Sequence, residues 1–302
     1  MSEHYPRIRC RTTSGMWING GVRIDFYMRR LHTQMAQAVV RSMDVFVHAV
    51  GEESFEMYVD DEGDWNELDE EGWVLNRRWL LEKRWPRVIL TTSQHRLDWY
   101  QFEYHGSARI DDPEWRGSDK EACVVSFWLP TEYLEAQGPT RVRELALELA
   151  APLPWCSGNV GLAFLGPIQD SGVTRAIYER CLPYPGMDIP GVEGYSRDIG
   201  TRIRGPSWLT FVGQPVMSAL GGIEALRSRL HSPGTTVQDL DAGRAVVTLG
   251  EWPEAGDTGR ELTLPAYREL AHVLEPWLYQ GHRLPGDFPA EELLRWERRF
   301  LD

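Results

Sequence analysis

The pattern of apolar and polar residues predicts both strands and helices along this chain. Residues 22–29 alternate apolar and polar side chains, which is typical of a strand with one buried face. The next apolar run has helical spacing and ends at Gly51, so it predicts an amphipathic helix of about four turns. We expect its apolar stripe to be buried against a sheet; the stripe consists of Val39, Val40, Met43, Phe46 and Val47.

The same two periods predict the other elements. Strands are expected at residues 54–59, 87–92, 97–104, 122–128, 159–165, 208–212, 236–240 and 244–250. Helices are expected at 76–85, from 131 onward with a break at Gly138-Pro139, at 222–230 and at 265–278. This mixture favours an α+β fold, with mixed, mostly antiparallel sheets packed by helices. The first and last thirds share a strand–helix–strand order, so two similar halves are an open alternative.

One stretch is rich in proline and glycine and has little periodicity, and it marks the only plausible boundary in the chain. It covers residues 183–205 and predicts a loop or linker. We therefore expect an N-terminal α+β part over residues 1–182 and a C-terminal α+β part over residues 206–302. The two parts could also form one compact domain.

The negative charge of the chain is concentrated in one segment. The net charge is −13, and residues 52–71 hold eleven acids and no Lys or Arg, which leaves 34 acids against 32 bases elsewhere. Such a segment attracts basic partners and repels nucleic acid and anionic membranes. We therefore expect a protein partner, and neither nucleic acid nor a membrane. The candidate partner-binding residues are Asp60, Asp61, Glu62, Asp64, Trp65, Glu67, Asp69, Glu70 and Glu71.

The acidic segment has only part of the pattern of a calcium-binding loop. Its acids occupy the first, third, fifth and twelfth places of such a loop, at Asp60, Glu62, Asp64 and Glu71. The sixth place, which needs glycine for a sharp turn, is Trp65, and the preceding segment is predicted to be a strand rather than a helix. Calcium is therefore disfavoured, and a solvated loop and a docking surface for a basic partner both remain open.

No catalytic motif is present in the sequence. There is no nucleophile elbow, zinc-protease motif or phosphate-binding loop, and the eight histidines are scattered. The four cysteines have neither C-x-x-C nor zinc-ligand spacing. We therefore expect a binding protein with no catalytic residues, cofactor or metal. The N-terminus lacks an apolar signal region and no stretch approaches the length of a membrane helix, so we expect a cytoplasmic protein.

Several motifs resemble a known bacterial family, the type VI secretion immunity proteins. They include FWLPTEYLE at residues 127–135, GNVGLAFLG at 158–166 and IGTRIRGPSWLTFVG at 199–213. Further likeness lies in ALGGIEALRSRL, LGEWPEAGDTG and PAYRELAHVLEPW, and upstream in GVRIDFYMRR. The resemblance covers nearly the whole chain, and the acidic segment and the C-terminal tail match least well. The motifs are made of Gly, Pro, Trp and apolar residues, so they are specific for the family and give no information about a site.

This resemblance implies a cytoplasmic inhibitor that binds and neutralises a cognate secreted toxin, often a nuclease of restriction-endonuclease type. It implies no catalytic residues. Two other functions remain open at this point: a hydrolase whose acid pair cannot be located from the sequence, and a structural component of a secretion or phage-tail apparatus.

Overall fold

The computed structural model describes residues 4–302 except 13–14, 94–95, 97, 168–170, 242 and 282–289. It contains strands and helices in irregular alternation, and every strand pairing given by its register is antiparallel, which confirms the predicted α+β class. The strands are β1 (Arg9–Arg11), β2 (Trp17–Met28), β3 (Met57–Val59), β4 (Trp65–Glu67), β5 (Arg87–Thr91), β6 (Gln101–His105), β7 (Cys123–Pro130), β8 (Ser157–Leu165), β9 (Leu209–Val212), β10 (Thr235–Asp241) and β11 (Arg244–Leu249).

The helices lie between these strands or follow them. They are α1 (Ala36–Val50), α2 (Glu70–Glu82), α3 (Thr131–Ala150), α4 (Ser171–Cys181), α5 (Val192–Asp198), α6 (Val216–Ala219), α7 (Ile223–Arg227), α8 (Pro265–Leu274) and α9 (Ala290–Glu297). Short 3-10 turns cover His32–Gln34, Glu52–Ser54, Thr258–Arg260 and Glu275–Trp277. Of the helices in the described residues, none combines the length and the apolar composition needed to cross a bilayer.

The chain divides into two compact units. Unit 1 contains Met1–Arg23, Cys156–Gly191 and Arg202–Asp302, and unit 2 contains Ile24–Trp155 and Val192–Thr201. Strand β2 contributes its residues up to Arg23 to unit 1 and those from Ile24 onward to unit 2. The proline- and glycine-rich stretch contains helix α5, which belongs to unit 2.

In unit 2 the strands follow the order β2-β7-β6-β5-β3-β4, so that β4 lies at the edge of the sheet. Helix α1 covers this sheet with the apolar stripe that its periodicity predicted. Phe46 is fully buried, and its ring lies 5.0 Å from that of Phe127 on β7 and 5.9 Å from that of Phe55. Burial of the stripe is confirmed except at Val40, which is half-buried.

In unit 1 the order is β10-β11-β9-β8-β2, with β1 paired to β2 and β10 at the edge. Its core is built from residues at period 2 on β11, namely Ala245, Val247 and Leu249, and at helical spacing on α8, such as Tyr267, Leu270 and Leu274. These are the two periods that predicted β9, β11 and α8 from the sequence.

A buried ion cluster also lies in unit 1. The carboxylate of Asp188 is 3.0 Å from the guanidinium of Arg204, 3.3 Å from that of Arg23 and 3.7 Å from that of Arg299. Burial by itself would raise the pKa of the Asp188 carboxyl. The three guanidiniums, together with a hydrogen bond from the backbone N–H of Ile189, outweigh burial and lower that pKa below its ordinary value.

Two predicted elements near the acidic segment have different limits in the structure. The strand expected at 54–59 is shorter, because Glu52–Ser54 form a 3-10 turn and β3 begins only at Met57. The helix expected at 76–85 begins six residues earlier, at Glu70, because Asp69 caps it there.

Strand β6 begins at Gln101 rather than at residue 97, where the sequence predicted it. Leu97 lies outside the described residues, as do His95 and His282.

Candidate partner-binding surface

The first part of the acidic segment forms a tight turn between β3 and β4. The carboxylate of Asp60 accepts hydrogen bonds from the backbone N–H groups of Asp64 at 2.9 Å and Glu62 at 3.0 Å. It also accepts one from the side-chain amide of Asn66 at 2.9 Å. The hydrogen bond from Asp64, followed by that from Asn66, lowers the pKa of the Asp60 carboxyl. Asp60 therefore stabilises the turn in its ionised form.

The second part of the segment starts helix α2. The side chain of Asp69 accepts a hydrogen bond from the backbone N–H of Gly72 at 2.8 Å, which is the usual N-cap contact. Glu70 and Glu71 occupy the first turn, where negative charge is favoured by the helix dipole. A Cβ atom at Gly72 would lie only 3.1 Å from the ring of Tyr58, so glycine allows α2 to approach β3 closely.

A lysine links the turn to the far end of α2. The ammonium group of Lys83 lies 2.6 Å from a carboxylate oxygen of Asp61 and 3.6 Å from the ring centroid of Trp79. The charge of Asp61 is therefore partly compensated. Glu56, just before β3, is also compensated, by the guanidinium of Arg96 at 2.7 Å.

The structure brings the nine predicted residues together on the β3–β4 hairpin and the start of α2. Asp60 is half-buried and the other eight are exposed. Within the described part of the chain, five of these acids have neither an ion pair nor a side-chain hydrogen bond and present their charge to solvent. They are Glu62, Asp64, Glu67, Glu70 and Glu71.

A shallow, open cavity lies beside these acids, between α2 and the strands β3 and β4, with a volume of about 640 Å³. The apolar side chain of Val74 lines the cavity and is 67% exposed, and Trp65 on β4 is 43% exposed. The concentration of acids in the sequence predicts the acidic residues of this cavity but not its apolar and basic residues. The spacing of three and four residues between Glu71, Val74, Leu75 and Arg78 could have indicated a common helix face. The lining residues not predicted from the sequence are Tyr58, Asn66, Gly72, Val74, Leu75 and Arg78.

The cysteine and histidine side chains that could support catalysis are either buried or hydrogen-bonded to neighbouring side chains. Burial raises the pKa of Cys123 and of Cys181 to about 11, so both thiols are protonated at neutral pH. His105 lies 2.9 Å from the carboxylate of Glu103, which also accepts a hydrogen bond from Gln101 along the same face of β6. Among the described residues, no three His, Cys, Asp or Glu side chains are placed as ligands of one metal ion.

Comparison with known proteins identifies the family. A family model described as TsiV, type VI immunity for VRR-NUC, matches residues 38–300. The chain therefore belongs to this family of type VI immunity proteins, which confirms the resemblance in its Gly-, Pro- and Trp-containing motifs. No curated protein matches the chain.

Among solved structures, the chain is similar to the Pseudomonas aeruginosa T6SS protein PA0821. The TM-score is 0.78 at 18% sequence identity, and the alignment covers 97% of this chain and 87% of the other. At this identity the similarity establishes a common fold.

Proposed function

We propose that this chain binds a cognate VRR-NUC toxin in the cytoplasm of the producing cell and neutralises it stoichiometrically, without turnover. The observation that carries this proposal is the family match over residues 38–300. The contact surface we propose is the acidic face, which we define as the nine residues predicted from the sequence, from Asp60 to Glu71.

The electrostatics of the acidic face support an inhibitor of a nuclease. An enzyme that holds DNA must present Lys or Arg side chains to phosphates. Five carboxylates of the acidic face have neither an ion pair nor a side-chain hydrogen bond within the described residues, so they are available for such cations. When the acidic face is bound to the toxin, it would exclude DNA phosphates from the Lys and Arg side chains of the toxin. The toxin would be inhibited because its active site, or the path of DNA to that site, is covered.

The acidic face would be the centre of a larger contact. A toxin held at nanomolar affinity requires about −12 kcal/mol of binding free energy. An interface of this kind buries roughly 1,200–2,000 Å² in total, which is more than nine side chains supply. Exposed Trp65 and Val74 lie beside the carboxylates and would supply apolar contact. Tryptophan is among the residues that contribute most to such interfaces.

Titration of the chain into a DNA-cleavage assay tests this proposal. Each VRR-NUC protein encoded in the genome of the producing cell would be assayed in turn. An unrelated nuclease would serve as the control. We expect cleavage by the cognate toxin to stop at one equivalent, the mass of the toxin to stay unchanged, and the control to be unaffected. Inhibition far below one equivalent with a covalent change in the toxin would indicate an enzyme. Full cleavage at excess chain would exclude the proposal.

A further inference from the structure

The edge strand β4 has outward-facing peptide groups. It pairs with β3 in the register Val59 to Trp65, Tyr58 to Asn66 and Met57 to Glu67. Just beyond the strand ends, Asp60 N–H donates to the Asp64 carbonyl at 3.0 Å, and Leu68 N–H donates to the Glu56 carbonyl at 2.8 Å. Residues 64 and 68 therefore face β3.

Alternate residues of an antiparallel strand point their peptide groups to opposite sides. Asn66 must then also face β3, whereas Trp65 and Glu67 direct their N–H and C=O groups away from it. Both residues are exposed, and β3 is the only strand paired with β4 within the described residues. The edge thus offers two donors and two acceptors at the spacing of a strand ladder.

The other edge of the sheet order, at β10 in unit 1, is protected. The pairing of β10 with β11 is interrupted by a bulge between Asp239 and Asp241. The carbonyl of Val237 accepts a hydrogen bond from the guanidinium of Arg227 on α7 at 3.2 Å. Bulges and covering groups are two of the devices that prevent an edge from adding another strand, beside short strands and charged side chains. At β4, in the part of the chain that the structure describes, there is no bulge or covering group, and the protection consists of its short length of three residues and the acids around it.

The charges around β4 restrict what could pair with it. Glu62 and Asp64 precede the strand, Glu67 ends it, and all three are exposed without an ion pair among the described residues. Opposite charges on neighbouring strands stabilise the pairing, and like charges destabilise it. A second copy of this chain would bring the same acids face to face, whereas a strand carrying Lys or Arg would be attracted.

We propose that an extended, basic segment of the toxin pairs with the outward N–H and C=O groups of Trp65 and Glu67 and so adds a strand to the sheet of unit 2. This inference rests on the proposed function and specifies how the toxin docks. Main-chain hydrogen bonds would supply part of the affinity, and the neighbouring carboxylates would select basic side chains. Trp65 would pack beside the added strand as an apolar anchor.

Amide hydrogen exchange measured residue by residue tests this pairing in the unmodified protein. In the free chain, the amides of Trp65 and Glu67 should exchange rapidly, whereas that of Asn66 should be protected by β3. In the complex with a VRR-NUC protein from the same genome, exchange at Trp65 and Glu67 should slow by about tenfold or more. Protection that appears without toxin and rises with protein concentration would instead indicate self-pairing and overturn the proposal.

Substitutions at Glu67 separate the backbone donor from the charge. Glu67→Pro removes the outward N–H at an edge position that tolerates proline. Glu67→Gln keeps the N–H and removes only the charge. We expect binding to weaken roughly tenfold more in the proline variant, which corresponds to one lost hydrogen bond. Asp239→Pro is the matched control. Val237, two residues earlier on β10, directs its carbonyl outward to Arg227, so Asp239 also faces outward, and the substitution removes one acid and one outward N–H at the protected edge. It should bind as the unmodified chain does.

The outcomes distinguish the two proposals. A complex that inhibits the nuclease while the amides of Trp65 and Glu67 exchange as in the free chain would exclude strand pairing and leave the proposed function intact. Equal binding by Glu67→Pro and Glu67→Gln, with unchanged thermal unfolding of both, would do the same. If no VRR-NUC protein binds, both proposals fail.

Discussion

At the scale of single residues, Phe46 shows how one side chain joins the helix and the sheet of unit 2. Its ring is fully buried between Phe55 and Phe127. Phe46→Ala should therefore reduce the free energy of unfolding by about 3–5 kcal/mol, since it leaves a cavity that the neighbouring aromatic rings cannot close completely. Urea-induced unfolding measures this change. Val74→Ala is the control, because Val74 is 67% exposed and should change stability by less than about 0.5 kcal/mol.

The stability of the ion cluster in unit 1 depends on the charge of its central residue, Asp188. Asp188 balances buried guanidiniums, so Asp188→Asn leaves positive charges in the interior without their carboxylate partner. Removal of one partner from a buried ionic network costs about 3–5 kcal/mol. We expect a loss of this size in urea-induced unfolding at neutral pH.

The lowered pKa of Asp188 fixes the sign of the pH dependence. A carboxyl group whose pKa is lower in the folded state stabilises the protein above its unfolded pKa, which is about 3.9. That stabilisation is lost as the pH falls through the folded pKa. The stability difference between the unmodified chain and Asp188→Asn should therefore be constant above about pH 5 and shrink below about pH 4. A difference that already shrinks between neutral pH and about pH 5 would contradict this assignment.

At the scale of elements, the strength of the sequence pattern determined how well each one could be predicted. Helix α1 has an uninterrupted apolar stripe, and its predicted end at Gly51 is confirmed. Helix α2 has Gly72 and Asn76 on its buried face, so its period is obscured and its true start was missed. The side-chain amide of Asn76 donates to the carbonyl of Gly72 at 2.8 Å, and this polar contact within the helix has no apolar signature in the sequence.

The start of α2 can be tested independently of its charge. Asp69→Ala removes the N-cap hydrogen bond to Gly72 and should cost about 1 kcal/mol of stability. Asp69→Asn keeps an equivalent acceptor and should restore most of this loss, apart from a few tenths of a kcal/mol from the helix dipole. Thermal and urea-induced unfolding of both variants would compare them. Equal losses would show that the charge, rather than the hydrogen bond, stabilises the helix start.

At the scale of the whole molecule, the sequence located the negative charge but not its arrangement. Counting residues placed eleven acids in one segment, without showing that Asp60 stabilises a turn or that Asp69 caps a helix. It also could not show that Lys83, 22 residues away from Asp61, compensates that acid. These roles depend on hydrogen-bond geometry and on contacts between distant residues. They divide the acids into those that stabilise the fold and those that only present charge.

This division defines a sharper test of electrostatic steering by the acidic face. Glu62, Asp64 and Glu67 are exposed and have no ion pair in the described part of the chain, so their neutralisation should leave the fold intact. The triple variant Glu62→Gln, Asp64→Asn and Glu67→Gln should associate with the toxin several-fold more slowly at low salt. Exposed charges at an interface chiefly change the association rate, so dissociation should change little.

The control is a second triple variant with the same change in net charge in unit 1, Asp239→Asn, Glu251→Gln and Glu261→Gln. These acids are also exposed and without ion pairs among the described residues. Stopped-flow binding at two ionic strengths compares both variants with the unmodified chain. The deficit of the first variant should shrink at about 0.15 M salt, where charges are screened beyond roughly 8 Å. Equal association rates for the two variants at low salt would mean that total charge, and not the acidic face, attracts the toxin.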